Sequence, residues 1–292
     1  MIAVLDAPSV LGLRPPAPGR VPGARRLPEA LRGNRLVERL KAGDAGRVDP
    51  PPYSPEIDPA TGVRNGATIP AYSATLADRL VELLGAGAFP LVLGGMLALR
   101  RLGRYGLVSV DGGLDFRHPG NAHLVGPVGS VAGEDLAVVT GRGAPQLTDL
   151  EGRRPLVAEA DVVAMGHRNL DPVTDEILAT AMTLFDVAEL RRLGPAVAAR
   201  RAVATLAGRG VAGFWVHVDT DVLDPELMPA VDSPEPGGLT HQELATLLRT
   251  LTASELAMGV QLTIFDPDLD PDGRLAAELT DTVVAGLEPR VG

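Results

Sequence analysis

Two pairs of aspartates, each at the end of a strongly apolar run, have the residue types and spacing that could do chemistry. Asp111 ends the run at residues 106–111, and Asp115 comes four residues later. Asp219 ends the run at 213–219, and Asp221 comes two residues later. Carboxylate clusters suit Mg²⁺, Mn²⁺ or Ca²⁺, and they need either a cation or raised pKa values when they are buried together. The spacing predicts a carboxylate site if the two runs end side by side; otherwise each aspartate only caps a strand or a turn.

Short apolar runs rich in β-branched residues predict the strands that must position these carboxylates. Six of them cover residues 2–6, 90–95, 106–111, 161–166, 213–219 and 258–266. Helical periodicity predicts helices at residues 27–40, 74–84, 186–193, 195–207, 240–251 and 273–287, the fifth beginning with a capping box. Almost continuous hydrophobicity indicates strands covered on both faces. The alternation predicts an α/β fold: one domain, residues 1–292, in a three-layer αβα sandwich with a mostly parallel sheet.

Two segments rich in Pro and Gly interrupt this alternation. Residues 46–72 predict a long loop, either a surface excursion or a lid over an active site. Residues 112–133 predict a second loop that starts where a strand ends. Because ligands bind beyond the carboxyl ends of strands in open parallel sheets, we expect this second loop to border the site.

The composition limits the classes of function. The chain has 292 residues, 45% hydrophobic and 22% charged, which excludes disorder as the main description. It has no cysteine, which excludes disulfides, thiolate metal sites and a cysteine nucleophile. The net charge of −10 would repel phosphate backbones, so nucleic acid is not an expected partner. With no apolar run near ~20 residues and no basic leader, we expect a cytoplasmic protein without a membrane partner that acts on a small molecule.

Several separated motifs resemble the ureohydrolase family of arginases and agmatinases. The segment HVDTDVLDP at residues 217–225, continued through 229–240, closely resembles the second metal motif of that family. The other similar segments are LGGMLAL at 93–99, VDGGLDF at 110–116, PGNAH at 119–123 and MGHRNLDP at 165–172. The resemblance implies an arginase-like fold and a hydrolase that cleaves a linear C–N bond of a guanidino or amidino compound with metal-activated water.

The resemblance also implies roles for individual residues. Members of the family hold two Mn ions with two histidines and four aspartates, and the matching aspartates are Asp111, Asp115, Asp219 and Asp221. Asp115 and His123 are the implied catalytic residues, with His123 in the position of a histidine that shuttles protons. The implied substrate-binding residues are Asn121, Asp171, Ser233 and Asp266. A homo-oligomer, a trimer or hexamer, is implied as well.

The sequence departs from the family at both histidine ligands. Met96 stands at the first ligand position and Gly113 at the second. A thioether is a soft ligand poorly matched to Mn, and glycine has no side chain to offer. We therefore expect an incomplete metal centre with one weakly bound Mn ion or none. We interpret His118, in the same loop as Asp115, as a surface loop histidine, with a role as substitute ligand as the alternative. We interpret His217 as a strand-packing residue, with contact to the site as the alternative.

Three functions remain compatible with these residues. The first is a hydrolase of the ureohydrolase type with an incomplete metal centre. The second is a catalytically inactive homologue that acts as a binding or regulatory subunit, beside an active paralogue. The third is different chemistry in the same pocket, with the aspartates and His123 as acid and base without a metal.

Overall fold

Eight parallel strands form the sheet in the described part of the chain, which is residues 1–95, 103–126, 129–168 and 173–291 of the computed structural model. The strands are β1 (Ile2–Ala7), β2 (Gly43–Arg47), β3 (Phe89–Gly94), β4 (Gly106–Val110), β5 (Val162–Met165), β6 (Thr183–Phe185), β7 (Phe214–Asp219) and β8 (Ala257–Thr263). Their spatial order is β2-β1-β3-β8-β7-β4-β5-β6. The strands that precede the two aspartate pairs, β4 and β7, are therefore neighbours inside the sheet.

Helices cover both faces of this sheet. They are α1 (Leu27–Gly33), α2 (Leu36–Arg39), α3 (Ile69–Gly85), α4 (Ala122–Val125), α5 (Asp135–Val139), α6 (Pro145–Thr148), α7 (Thr174–Leu178), α8 (Val187–Leu193), α9 (Pro195–Gly208), α10 (His241–Thr252) and α11 (Arg274–Leu287). The core on one face contains side chains of α1, α2 and α8 to α11, and the core on the other contains side chains of α3, α5 and α7. The predicted three-layer α/β architecture is confirmed, and every strand pair in the described residues is parallel.

The inner strands read as continuous apolar runs because both of their faces are buried. All residues of β1, β3, β4 and β7 are buried. Successive side chains alternate between the two cores: Leu107 of β4 packs on the α3 and α5 face, and Val108 packs on the opposite face. Polar residues inside these strands are therefore enclosed by protein, and each needs a specific partner or ligand.

The six predicted strands are confirmed, and two edge strands were missed. β2 and β6 are short, and β2 (GDAGR) has little hydrophobic character. The helix predicted at residues 27–40 is divided, because α1 ends at Gly33 and Arg35 has a left-handed backbone with φ 58°. The capping box is confirmed: Thr240 Oγ1 accepts from Glu243 N at 3.1 Å, and Glu243 Oε2 accepts from Thr240 N at 2.8 Å.

Both loops are more ordered than their composition predicts. β2 extends to Arg47 and α3 begins at Ile69, which shortens the first loop at both ends. Asn65 holds it down, since its Nδ2 donates to Leu11 O at 2.9 Å and its Oδ1 accepts from Ser54 N at 2.7 Å. The second loop contains α4. Among the described residues, no helix combines the length and apolarity that crossing a bilayer requires.

Candidate functional site

The ends of β4 and β7 bring three potential metal ligands together. The register pairs Val110 with Val218 and Ser109 with His217, so the two strands end at the same level. Asp111 follows β4 directly, and Asp219 is the last residue of β7. His217 shares the side of Asp219 because alternate strand residues point the same way. One ligand atom each of Asp111, His217 and Asp219 lies within 4.8 Å of the other two, and all three residues are buried.

Backbone N–H groups orient the carboxylates of this cluster. Asp111 Oδ1 accepts from Gly113 N at 2.7 Å, and Asp219 Oδ1 accepts from Asp221 N at 2.9 Å. Asp221 Oδ1 accepts from Gly112 N at 3.1 Å, which links the turn after β7 to the turn after β4. The two strand ends therefore form one connected unit, and a displacement of either turn moves carboxylates of both.

Arg168, which follows β5, holds the turn after β7 through hydrogen bonds to its backbone. Its Nη2 donates to Asp221 O at 2.7 Å, and its Nη1 donates to Val222 O at 3.2 Å. Gly112 leaves the space for this contact: a Cβ there would lie 2.5 Å from Arg168 Nη2 and 2.8 Å from Asp221 O. A glycine is required here because of this close approach.

Burial and mutual repulsion disfavour the ionised carboxylates. The pKa of Asp111 is well above its usual value, first because the group is buried and then because Asp115 is close. Burial likewise raises the pKa of Asp219, with the charges of Asp221 and Asp111 adding to the effect. The pKa of Asp221 is raised by burial and then by Asp111. A bound cation would reverse these shifts, because an opposite charge favours the ionised form.

His217 is held as a neutral imidazole. Burial lowers its pKa to about 4, and the polar side chain of Gln261 beside the ring opposes this effect, although the two groups do not meet in hydrogen-bonding geometry. The side chain is enclosed, with the residue only 7% exposed, and neither ring nitrogen has a hydrogen-bond partner among the described residues. A buried polar group left unpaired costs about 1–3 kcal/mol. A neutral imidazole nitrogen beside two carboxylates is a set of donors that fits a divalent transition-metal ion.

A cavity of about 700 Å³ opens onto the carboxylates. Asp115, Asp219 and Asp221 line it together with three further acids, Asp232, Glu235 and Asp266, and with three arginines, Arg14, Arg117 and Arg168. Two of its lining residues have left-handed backbones, Asp115 at φ 42° and Ile264 at φ 76°. Such a conformation is strained for a β-branched residue and is concentrated at functional sites.

Two of the residues predicted to bind substrate lie at this cavity. Ser233 lines it and is exposed, and Asp266 lines it next to the N-terminal segment. Asp266 Oδ2 accepts from Gly23 N at 3.2 Å and its Oδ1 accepts from Asp268 N at 2.8 Å. Asp266 therefore also fastens residues near Gly23 over the cavity, in addition to any role toward substrate.

The remaining predicted residues lie elsewhere. His123 is exposed on α4. Asn121 is buried; its Nδ2 donates to Phe116 O and to Glu176 Oε2, both at 3.0 Å. Neither lines the cavity among the described residues, and their functional roles stay predictions. Asp171 and Met96 fall outside the described residues.

The suggestion that His118 replaces a missing ligand is not supported by its contacts. His118 Nε2 lies 2.9 Å from Glu176 Oε1, and its Nδ1 accepts from Gly120 N at 3.1 Å. Both ring nitrogens therefore already have partners, one inside the loop and one outside it. The partner, Glu176, is on α7, a contact that the sequence alone could not indicate.

Sequence analysis did not identify Asp135 and Glu134 beside the cluster, and it gave contact of His217 with the site only as an alternative. It interpreted His217 as strand packing, although its two-residue spacing from Asp219 was the signal that both share a side. Asp135, at the start of α5, has its pKa raised to about 8 by burial and then by the charges of Asp111 and Glu134. Burial raises the pKa of Glu134 to about 7. The position of α5 against β4 was the missing information.

Comparison with known proteins agrees with this architecture. Residues 17–287 match the model of the arginase family. The chain is 29% identical to an arginase of Brevibacillus brevis, over 71% of this chain and 72% of the relative, and 28% identical to arginase-1 of Homo sapiens, over 89% and 84%. It superimposes on the crystal structure of arginase from Bacillus cereus with a TM-score of 0.81 and 25% identity, over 97% of each chain. The chain belongs to the arginase family.

Proposed function

We propose that this protein is a metal-dependent hydrolase that cleaves a linear C–N bond of a guanidino or amidino compound. The observation that carries the proposal is the buried group of Asp111, His217 and Asp219, of which Asp219 also lines an acidic cavity. Membership of the arginase family supports the same class of reaction. Overall, one water adds across the C–N bond, and a guanidino substrate gives urea and an amine.

The charge of the cavity favours a cationic substrate. Six acids and three arginines line it, and a bound cation that keeps the carboxylates of the cluster ionised would leave an excess of negative charge facing a guanidinium or amidinium group. We assign Ser233 and Asp266 to contacts with the substrate at the wall. The segment around Gly23, which Asp266 fastens, shields the reacting group from bulk water.

Mn²⁺ is the ion that we propose for the cluster, with Asp111, Asp115, Asp219 and Asp221 as its carboxylate ligands. When bound, such an ion lowers the pKa of a coordinated water and polarises the carbon under attack. Asp115 also lines the cavity, which supports its proposed role next to the reacting group. His123 remains the candidate for proton transfer that the family resemblance suggests.

Metal analysis combined with product release tests this proposal. We expect the purified chain to retain Mn²⁺ after dialysis and to release urea, ammonia or an amine from at least one compound of a guanidino and amidino panel. The variant Asp219→Asn should lose both properties. Protein that neither retains Mn²⁺ nor releases product would contradict the proposal. That result would favour an inactive homologue with a regulatory role, and co-purification with a paralogue would test this alternative. Light scattering would test the proposed trimer or hexamer.

A further inference from the structure

We infer that His217 is the nitrogen ligand of the metal centre and takes the place of the histidine absent from the loop after β4. The inference rests on the proposed function, because it assumes that the cluster binds a metal ion. The nitrogen ligand would then come from the interior of β7 and not from the loop position at which this chain has Gly113.

The position and surroundings of His217 fit those of a metal ligand. A nitrogen of its ring lies within 4.8 Å of carboxylate oxygens of Asp111 and Asp219. Neither ring nitrogen has a hydrogen-bond partner among the described residues, although the residue is 7% exposed. Buried polar groups are almost always satisfied by protein or by ordered water or ions. One ion shared with the two carboxylates would satisfy the ring and neutralise the carboxylates at the same time.

Gln261 is the candidate support for the second ring nitrogen, which makes no hydrogen bond to it by distance and angle in this structure. Gln261 of β8 is opposite His217 in the β7–β8 register and is buried. Its Nε2 donates to Gly94 O at 3.1 Å, which orients the amide and directs its oxygen away from that carbonyl. Metal-binding histidines generally donate their other N–H to an acceptor of this kind.

Among the described residues, His217 is the only histidine that belongs to the group of potential metal ligands. The chain has five histidines, and all five are in the described residues. Both ring nitrogens of His118 have other partners, Glu176 of α7 and Gly120, and His123 is exposed on α4. His241 bonds Thr282 at 2.8 Å on the α10–α11 side, and His167 has Asp186 as its charged neighbour. We therefore expect one nitrogen ligand, and one tightly bound ion, per chain.

Gly113 leaves room for a histidine ligand at its own position in the loop after β4. A Cβ at this position would lie 3.4 Å from Asp115 Oδ1 and 3.7 Å from Asp111 Oδ1, which are ordinary contacts. Gly113 also lacks a left-handed backbone, so a side chain is compatible with its conformation. A histidine introduced here would stand beside the same carboxylates, which provides a gain-of-ligand variant, Gly113→His.

Electron-spin-echo spectroscopy of the full chain loaded with Mn²⁺ tests the inference directly, because it detects ¹⁴N bound to the ion without relying on activity. We expect ¹⁴N coupling in the natural sequence, its loss in His217→Leu, and its retention in the control His241→Gln. In a titration, His217→Leu should have a lower affinity for Mn²⁺ than the natural sequence. The decrease should exceed the ~10- to 100-fold that follows the loss of a residue that only supports a metal ligand. Gly113→His combined with His217→Leu should restore both the coupling and part of the affinity.

The outcomes separate this inference from the proposed function. Mn²⁺ bound by the natural sequence without ¹⁴N coupling would overturn the role of His217 and leave a carboxylate-only metal centre. Coupling that persists in His217→Leu would overturn it as well. If the natural sequence binds no Mn²⁺, both the inference and the proposed function fail. Should His217→Leu not fold, the spectrum of the natural sequence decides alone.

Discussion

Asp219→Asn should make the metal-free protein more stable and at the same time abolish its stabilisation by Mn²⁺. Oxygens of Asp111 and Asp219 lie within 4.8 Å, and two full charges at that distance repel by about 3.5 kcal/mol at an effective dielectric constant of about 20. Asparagine keeps the oxygen that accepts from Asp221 N at 2.9 Å. Because neighbouring carboxylates can protonate to relieve part of the repulsion, we expect a gain of about 2–3 kcal/mol at pH 8 in EDTA.

The pH dependence gives this prediction a sign. The pKa of Asp219 is raised in the folded protein above the usual 3.8. The stabilisation from its protonated form is therefore complete below pH 3.8 and is lost as the pH rises through the folded-state pKa. The natural sequence should lose stability across this range, whereas Asp219→Asn has no carboxyl to ionise. The stability difference between the two proteins should be large at pH 8 and small at pH 4.

Urea unfolding measured with and without Mn²⁺ is the assay. At a free concentration of 100 times Kd, Mn²⁺ should stabilise the natural sequence by about 2.7 kcal/mol and should leave Asp219→Asn unchanged. Asp224→Asn is a matched control from the same motif, since hydrogen bonds from Glu226 N and Gly237 N lower the pKa of Asp224, and its replacement should not stabilise the protein at pH 8. A metal-free Asp219→Asn variant that is less stable than the natural sequence at pH 8 would refute the reasoning, as would equal Mn²⁺ stabilisation of both.

Three further predictions follow from contacts around the site and in the frame. Gly112→Ala places a Cβ 2.5 Å from Arg168 Nη2 and 2.8 Å from Asp221 O, so urea unfolding should show a loss of about 1–3 kcal/mol and calorimetry should show weaker Mn²⁺ binding. Thr240→Ala removes the capping box of α10 and should cost about 1 kcal/mol with Mn²⁺ affinity unchanged; altered affinity would link α10 to the site. Burial raises the pKa of Glu134 to about 7, so Glu134→Gln should gain stability relative to the natural sequence as the pH rises from 5 to 8, and a constant difference by thermal unfolding would contradict that pKa.

The inner strands of the sheet were largely predictable, because a strand that is buried on both faces has a continuous apolar sequence. β3, β4 and β7 read as apolar runs in the sequence and are entirely buried in the fold. β2 was missed because it lies at the edge of the sheet, where only one residue of GDAGR is buried. A strand that faces solvent carries little hydrophobic signal, so pattern reasoning assigns it to a loop.

The site was predictable only in part because it depends on which strands are neighbours. The aspartates could be recognised from their place after apolar runs, but nothing local says that β4 pairs with β7 across more than a hundred residues of chain. The same holds for His217, whose neighbour Asp111 comes from β4. His118 was considered as a metal ligand, but its ring contacts Glu176, which lies on a helix that the sequence pattern did not predict.

Anomalous scattering from crystals soaked with Mn²⁺ tests the metal centre most directly. Data collected on either side of the manganese absorption edge locate the ion independently of the protein phases. We predict one strong peak per chain within bonding distance of Asp111, His217 and Asp219. A map without a peak among these side chains, in crystals whose solvent contains saturating Mn²⁺, would contradict the metal centre.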